Sequence, residues 1–160
     1  MKKLYIDKTE LKECTSVWVK DAEINWSGTT VYSMSVKHKN SEYQRFADEY
    51  DIHFIFDDNI PVINFYTIPF IEIFAIDSNG GYLGSFREGI DFDGTAPICY
   101  INSNHNCFLI ADSGKDFINN AASWKTHMTP YMDVEFFSSK EEAMSKYEFL
   151  DSKEMQSLLE

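Results

Sequence analysis

The residues of this sequence best suited to form a metal site or a nucleophile are its four histidines and its three cysteines. His105 and Cys107 are two positions apart, so on one strand they would face the same side. A zinc site requires four ligands, however, and no second pair lies at the usual short spacing. Cys99, between Ile98 and Tyr100, is typical of a buried thiol with a raised pKa. We therefore predict no metal site and no catalytic residue, with a cysteine–histidine pair formed only on folding as the alternative.

The glycines match no phosphate-binding or dinucleotide-binding motif. Gly80 and Gly81 follow an apolar run, but the helical pattern that a dinucleotide-binding turn requires does not come next. Counted from Asp77, the twelfth residue is the acidic Glu88, as in a calcium loop, while Asn79 and Gly81 at positions three and five fit only in part. A hairpin turn explains this stretch better, and we predict no cofactor.

An acidic loop is the most distinctive surface feature of the sequence. Asp91 and Asp93 flank Phe92 in the glycine-bracketed segment 89–94, and Glu88 precedes it. A solvated loop is the simpler interpretation, because connecting loops are usually polar. The alternative is a binding surface in which an aromatic anchor lies among carboxylates, a composition that suits a basic protein partner. The predicted partner-binding residues of this loop and of the preceding turn are Asp77, Asn79, Tyr82, Glu88, Asp91, Phe92 and Asp93.

The charge balance narrows the classes of partner. The chain has 26 acidic and 14 basic side chains, a formal net charge of −12. Such a surface repels nucleic acid and anionic membranes and favours basic proteins through long-range attraction. No apolar run approaches the roughly 18 residues of a membrane span. Charged residues follow the short apolar start, so we expect no signal peptide and a cytoplasmic protein with reduced thiols.

The stretch from Pro69 to Ala111 is the element around which the rest is organised. It predicts a meander of four strands joined by turns and a polar loop, with strands at 70–76, 82–86, 97–101 and 107–111. If 102–106 is a turn, Cys99 faces Leu109 and Ile101 faces Cys107. The two cysteines are then diagonal neighbours, roughly 7 Å apart at the backbone, which is near the upper limit for a disulfide.

Flanking segments add helices and further strands. Apolar residues at three- and four-residue spacing predict helices that begin at Thr9, Ser41, Asp112 or Ser113, and Ser138 or Ser139. Shorter apolar runs predict strands at 31–36, 52–56, 62–66 and 131–137, and Ile24–Trp26 is expected to pack over the sheet. With 160 residues, 44% of them hydrophobic, the chain is predicted to be one domain over residues 1–160. The fold class is α+β, a single mixed or mainly antiparallel sheet of about six strands with helices packed on it.

The order of these motifs resembles the SUKH superfamily, the Smi/Knr-like domains found widely as bacterial immunity proteins. In that family an apolar strand and a glycine turn precede a Pro-Ile strand and a closing helix with spaced aromatic residues. The first forty residues show no pattern typical of the family. The matching positions are Ile73, Phe74, Ala75, Asp77, Gly80, Gly81, Tyr82, Pro97, Ile98, Asp116, Phe117 and Ile118.

This resemblance implies a function. It leads us to expect a non-catalytic immunity protein that neutralises a toxin, for example a nuclease, by covering the groove that binds the toxin's substrate. The acidic surface is independently compatible with that expectation, because the active sites of nucleases are basic. The alternatives are a Smi/Knr-like regulatory scaffold in cell-wall or stress signalling, and a small enzyme that uses cysteine or histidine chemistry.

Overall fold

The structure is a computed structural model that describes residues 2–10, 17–87 and 96–150. Contacts along the chain form two compact units, each built from separate segments. The first unit comprises residues 1–29, 64–70 and 134–160, and the second unit comprises residues 30–63 and 71–133. The expectation of one domain over residues 1–160 stays a prediction.

Helices and strands alternate along the described chain. The helices are α1 (Ser41–Tyr50), α2 (Gly114–Asn119) and α3 (Lys140–Lys146), with 3-10 helices at Lys8–Glu10, Val36–His38 and Ala121–Thr126. The strands are β1 (Lys2–Asp7), β2 (Ala22–Ser27), β3 (Thr29–Val31), β4 (His53–Phe54), β5 (Tyr66–Ile68), β6 (Ile71–Ile76), β7 (Tyr82–Ser85), β8 (Ile98–Ile101), β9 (Cys107–Ala111), β10 (Thr129–Pro130) and β11 (Glu135–Phe137). No helix in the described ranges combines the length and the apolar character needed to cross a bilayer.

A seven-stranded sheet confirms the predicted α+β class. Six of its strands follow the order β10-β9-β8-β7-β6-β3. The seventh strand, β4, also pairs with β6. Strands β6 to β9 pair antiparallel in chain order, as the meander predicted. Local signals explain this success, because each strand is an apolar run and each described turn is rich in Gly, Asn, Asp or Ser. Two further two-stranded sheets, β1-β2 and β11-β5, were not predicted.

Aromatic side chains form the core of the second unit. Phe74, at the centre of β6, is fully buried. Its ring lies 5.6 Å from that of Phe117 on α2 and 6.0 Å from that of Phe54 on β4. Phe46 and Tyr50 of α1 pack against the same cluster. Both helices therefore bury their apolar faces against the sheet, which is the arrangement expected for this class.

The two cysteines of the meander lie as the sequence predicted. Cys99 is opposite Leu109 and Ile101 is opposite Cys107, and both thiols are free and buried. The hydrogen bond with the Cys107 thiol, together with burial, raises the pKa of Cys99. Cys99 is therefore a core thiol with a raised pKa, in agreement with the prediction.

Helix α1 begins and ends on polar caps. The side chain of Asn40 accepts hydrogen bonds from the backbone amides of Glu42 and Tyr43, so Asn40 is the N-cap and the helix begins at Ser41 as predicted. At the other end Asp51 has a φ of 59°, the left-handed conformation common after a helix. This conformation turns the chain sharply into β4.

The first unit contains most of the errors of the sequence-based prediction. Residues 22–27 form strand β2, which pairs parallel with β1 and was not predicted as a strand. The strand predicted at 131–137 is shorter, since only Glu135–Phe137 is a strand and it pairs with β5, while Thr129–Pro130 lies before the predicted range and pairs with β9 in the second unit. Thr9 lies in a 3-10 helix and Trp18 in no helix, and residues 11–16 of the predicted helix lie outside the described residues.

The bounds of two further strands also differ from the prediction. The strand expected at 31–36 ends at Val31, and the strand expected at 62–66 begins at Tyr66. The start of α3 was predicted correctly: Ser139, one of the two predicted capping residues, accepts a hydrogen bond from the amide of Glu142, so the helix begins at Lys140. Single polar contacts of this kind decide bounds that hydrophobic patterns leave open.

Candidate functional site

The predicted partner-binding residues divide into a described and an undescribed group. Asn79 is exposed at the tip of the β6–β7 turn, and Tyr82, the first residue of β7, is half-buried. Asp77 is only 6% exposed, although the sequence suggested a surface charge. The four residues of the acidic loop, Glu88, Asp91, Phe92 and Asp93, lie outside the described residues.

Asp77 fixes the turn from the inside. Its Oδ1 accepts hydrogen bonds from the backbone amides of Asn79 at 3.0 Å and Gly81 at 2.7 Å. Its Oδ2 accepts a hydrogen bond of 2.6 Å from the Tyr100 hydroxyl. Burial and the nearby carboxylate raise the pKa of Tyr100. A carboxylate with three donors has little capacity left for a partner, so Asp77 shapes the surface and presents Asn79.

The sheet topology separates the turn from the acidic loop. The turn precedes Tyr82 at one end of β7, where Tyr82 pairs with Ile101. The loop begins after Arg87, beyond the other end of β7, where Ser85 pairs with Ile98. Four residues of strand span about 13 Å, so the described residues next to the loop lie a strand length from the turn. It therefore stays a prediction that the β6–β7 turn and the acidic loop form one binding face.

Asp51 fixes the same turn from the outside. Its carboxylate accepts hydrogen bonds from the Ser78 hydroxyl at 2.8 Å and from the Ser78 amide at 3.1 and 3.2 Å. Lys125 Nζ lies 2.8 Å from Oδ2, and His53 Nε2 lies 2.9 Å from Oδ1. Four segments of the second unit therefore meet at one side chain: the end of α1, β4, the turn and the 3-10 helix.

Hydrogen bonding controls the charge of Asp51. Burial alone would raise the pKa of this carboxyl, which is 20% exposed. The hydrogen bonds from Lys125, Ser78 and His53 act in the opposite direction and hold the pKa well below its usual range. Asp51 is therefore a carboxylate at any physiological pH, and it keeps Lys125 beside the turn.

A groove of about 370 Å³ lies between α1 and the strand that follows it. Its floor is aromatic, because the ring of Tyr43 packs edge-on against those of Phe54 at 5.3 Å and Phe56 at 5.5 Å. The volume is at the lower end of the range for small-molecule pockets, so it fits one long side chain. Polar residues form its rim, namely Lys39, Asn40, Gln44, His53, Asp58 and Asn59.

Lys39 lies across this groove. Its Nζ is 5.2 Å from the centre of the Phe56 ring and 2.6 Å from Oδ2 of Asp58. The side chains of Lys39 and Asp58 are 49% and 50% exposed. The carboxylate of Asp58 and the ring of Phe56 together therefore form a cation site for the Lys39 ammonium group at the surface.

A second groove, of about 440 Å³, lies beside β9 and α2. Its rim carries the exposed carboxylates of Asp112 and Asp116 together with His127. Within the described ranges, no three His, Cys, Asp or Glu side chains are grouped as metal ligands. The two carboxylates make this groove part of the acidic surface of the second unit.

The first unit contains a buried polar cluster. Tyr66 donates a hydrogen bond of 2.8 Å to Asp7, and the hydroxyls of Tyr66 and Ser27 lie 3.1 Å apart. Burial raises the pKa of Tyr66, which stays protonated and cannot act as a base at neutral pH. Ser27 also donates to the carbonyl of Ile6, so the cluster ties three strands together. Its hydrogen bonds are accounted for within the unit, and we assign it a structural role.

No family model, curated protein or solved structure matches this chain. The surface therefore has to be interpreted from its own residues. The sequence-based prediction missed Asp51 and the pair of Lys39 and Asp58, because Asp51 meets Lys125 from 74 residues away and Lys39 meets Asp58 from 19 residues away. It also missed His53, which gains its role only because its neighbour Asp51 holds the turn. The one available signal was Asp51 directly after a helical stripe, a position where a left-handed cap is common.

Proposed function

We propose that this chain is a non-catalytic protein-binding domain of the Smi/Knr-like (SUKH) kind that acts in the cytoplasm and neutralises a basic toxin domain such as a nuclease. Charge is the observation that supports it most directly. Residues 30–63 and 71–133, the second unit, contain 14 acidic and 6 basic side chains, a net charge of −8 out of −12 for the chain. A basic active site would be attracted to this unit at long range and blocked on contact.

The placement of the residues that carry the family resemblance supports the same proposal. Phe74 and Ala75 lie in β6, Tyr82 begins β7, Ile98 begins β8 and Phe117 is buried in α2. This is the order of strand, turn, strand and closing helix that the resemblance implies. The residues in common therefore belong to one fold core and support a shared fold class.

Burial of the two cysteines that the structure describes favours binding over catalysis. Cys99 and Cys107 are both buried in the sheet. Their mutual hydrogen bond raises the pKa of Cys99, together with burial, and lowers the pKa of Cys107, whose thiol is nevertheless inaccessible. A nucleophilic cysteine requires an accessible thiol with a lowered pKa. A thiol reagent at neutral pH should therefore leave Cys99 unmodified in the folded protein, whereas rapid labelling would favour the small-enzyme alternative.

Co-purification followed by a growth assay tests the proposal. The chain is tagged in cells that carry its neighbouring open reading frames, and the bound protein is identified by mass spectrometry. We expect a basic protein that arrests growth when expressed alone and no longer does so when this chain is co-expressed. A bound protein that is harmless alone would contradict neutralisation and favour the regulatory scaffold.

A further inference from the structure

The groove between α1 and β4 already binds a cation from its own chain. Lys39 Nζ contacts both a carboxylate, Asp58, and the face of an aromatic ring, Phe56. This pair of contacts is the recognition chemistry of a basic side chain at a protein surface. The occupant is an exposed residue whose ammonium group could equally well be solvated.

We propose that Lys39 stands in for an arginine of the partner, and that this groove is where the partner's arginine binds. The proposal rests on the proposed function, because it names the anchor contact of that basic partner. Arginine fits better than lysine, since its planar guanidinium can stack on Phe56 and bind Asp58 through two hydrogen bonds. The Tyr43 ring extends the floor along which the arginine stem would pack.

Moving the Lys39 ammonium group out of the groove should cost little free energy. The ion pair of Lys39 and Asp58 is about half exposed on both sides, and exposed ion pairs contribute little to stability. The Lys39 ammonium would return to water, where it is well solvated. His53 and Asn59 on the rim supply further polar groups for the incoming side chain.

Short peptides test the groove without the natural partner. The probes are acetylated tri-arginine and tri-lysine amides, titrated into the full chain at low salt while the side-chain NMR signals of Tyr43 and Phe56 are followed. We expect tri-arginine to shift these ring signals and to bind more tightly than tri-lysine. Shifts confined to other surfaces, or equal affinity for both peptides, would overturn the proposal.

Two variants with matched controls separate the groove from general electrostatics. Lys39→Ala should tighten tri-arginine binding about two- to fivefold, and Asp58→Asn should weaken it about two- to fivefold. Lys37→Ala and Asp133→Asn make the same charge changes at exposed positions outside the groove and should have much smaller effects. If each control matches its test variant, the peptide responds to net charge alone and the proposal is wrong.

Failure of the arginine site and failure of the proposed function give different experimental results. A groove that binds tri-arginine as expected, in a chain that neutralises no toxin, would remove the function and leave the cation site. A toxin whose affinity for this chain is the same for the parent and for Asp58→Asn would leave the function and remove the groove as its anchor.

Discussion

The hydroxyl of Tyr100 donates a 2.6 Å hydrogen bond to the buried carboxylate of Asp77, across the strands of the central hairpins. The same carboxylate accepts a hydrogen bond from the amide of Gly81, so Asp77 is the shared acceptor for the tyrosine and for the turn. A Cβ at Gly81 would lie 2.2 Å from the Tyr100 hydroxyl oxygen. The glycine at this position therefore allows the close approach that the hydrogen bond needs.

Tyr100→Phe should lower the free energy of unfolding by about 1–3 kcal/mol, because it leaves an oxygen of the buried Asp77 carboxylate without its donor. Chemical denaturation measures the change. Tyr32→Phe, at an exposed tyrosine, is the matched control and should stay within about 0.5 kcal/mol of the parent. Equal effects of both variants would contradict the role of the hydroxyl.

Phe74→Ala should cost about 3–5 kcal/mol, because it empties a ring-sized volume against Phe117 and Phe54 in the core of the second unit. Denaturant unfolding followed by circular dichroism is the measurement. Val62→Ala, at an exposed apolar side chain, should change little. A loss below about 1 kcal/mol for Phe74→Ala would mean that its ring does not fill the core.

Asp51→Asn should destabilise the protein by about 1–2 kcal/mol at neutral pH, since it removes the negative charge that pairs with Lys125. Asparagine tolerates the left-handed backbone at this position, so the variant changes the charge and keeps the turn geometry. Asp48→Asn, at an exposed position on α1, is the control for charge.

The effect of Asp51→Asn should also depend on pH. The pKa of Asp51 is lower in the folded chain than the value of about 4 in an unfolded one, so its contribution is fully present above about pH 5. It declines as the pH falls below about 4 towards the folded pKa. Parent and variant should therefore converge in stability in acid, and a constant difference down to low pH would contradict the ionic role.

Replacing Glu88, Asp91 and Asp93 by Ser should slow association with the basic partner and weaken its salt dependence, if the acidic loop contributes to attraction. Phe92→Ala should mainly speed dissociation if the ring is an anchor. Stopped-flow kinetics at low and moderate salt measure both rates. The control is a triple variant in which Glu23, Asp133 and Glu141, all exposed, are replaced by Ser, so that it removes the same charge from other sites. Parent-like association of the loop variant would place the interface elsewhere.

The sequence predicted what short-range physics determines. Strands β6 to β9 are apolar runs separated by turn formers, and helix α1 shows a clear apolar stripe, so both were found. Strand β2 was missed because its parallel partner β1 lies about twenty residues away and its own pattern does not alternate. Parallel pairing is a long-range choice that a local pattern does not encode.

The sequence predicted the overall acidic charge of the protein but not where individual charged side chains lie in the fold. The sequence identified Asp77 as acidic, yet its burial depends on Tyr100, a hydrogen-bond donor 23 residues away. Asp51 acquires its partner Lys125 from 74 residues away. A single sequence contains no signal that joins such pairs, so the burial of Asp77 was not predicted, while the hairpin that contains it was.

The three tryptophans give each unit its own fluorescent reporter. Trp124 is 2% exposed in the second unit, and its indole N–H donates a 2.7 Å hydrogen bond to the carbonyl of Tyr50. Trp18 and Trp26 both belong to the first unit, and Trp18 is 78% exposed. A chain in which Trp124 is the sole tryptophan should emit at short wavelength and shift red only when the second unit opens. Emission wavelength can thus follow the unfolding of one unit in the presence of the other.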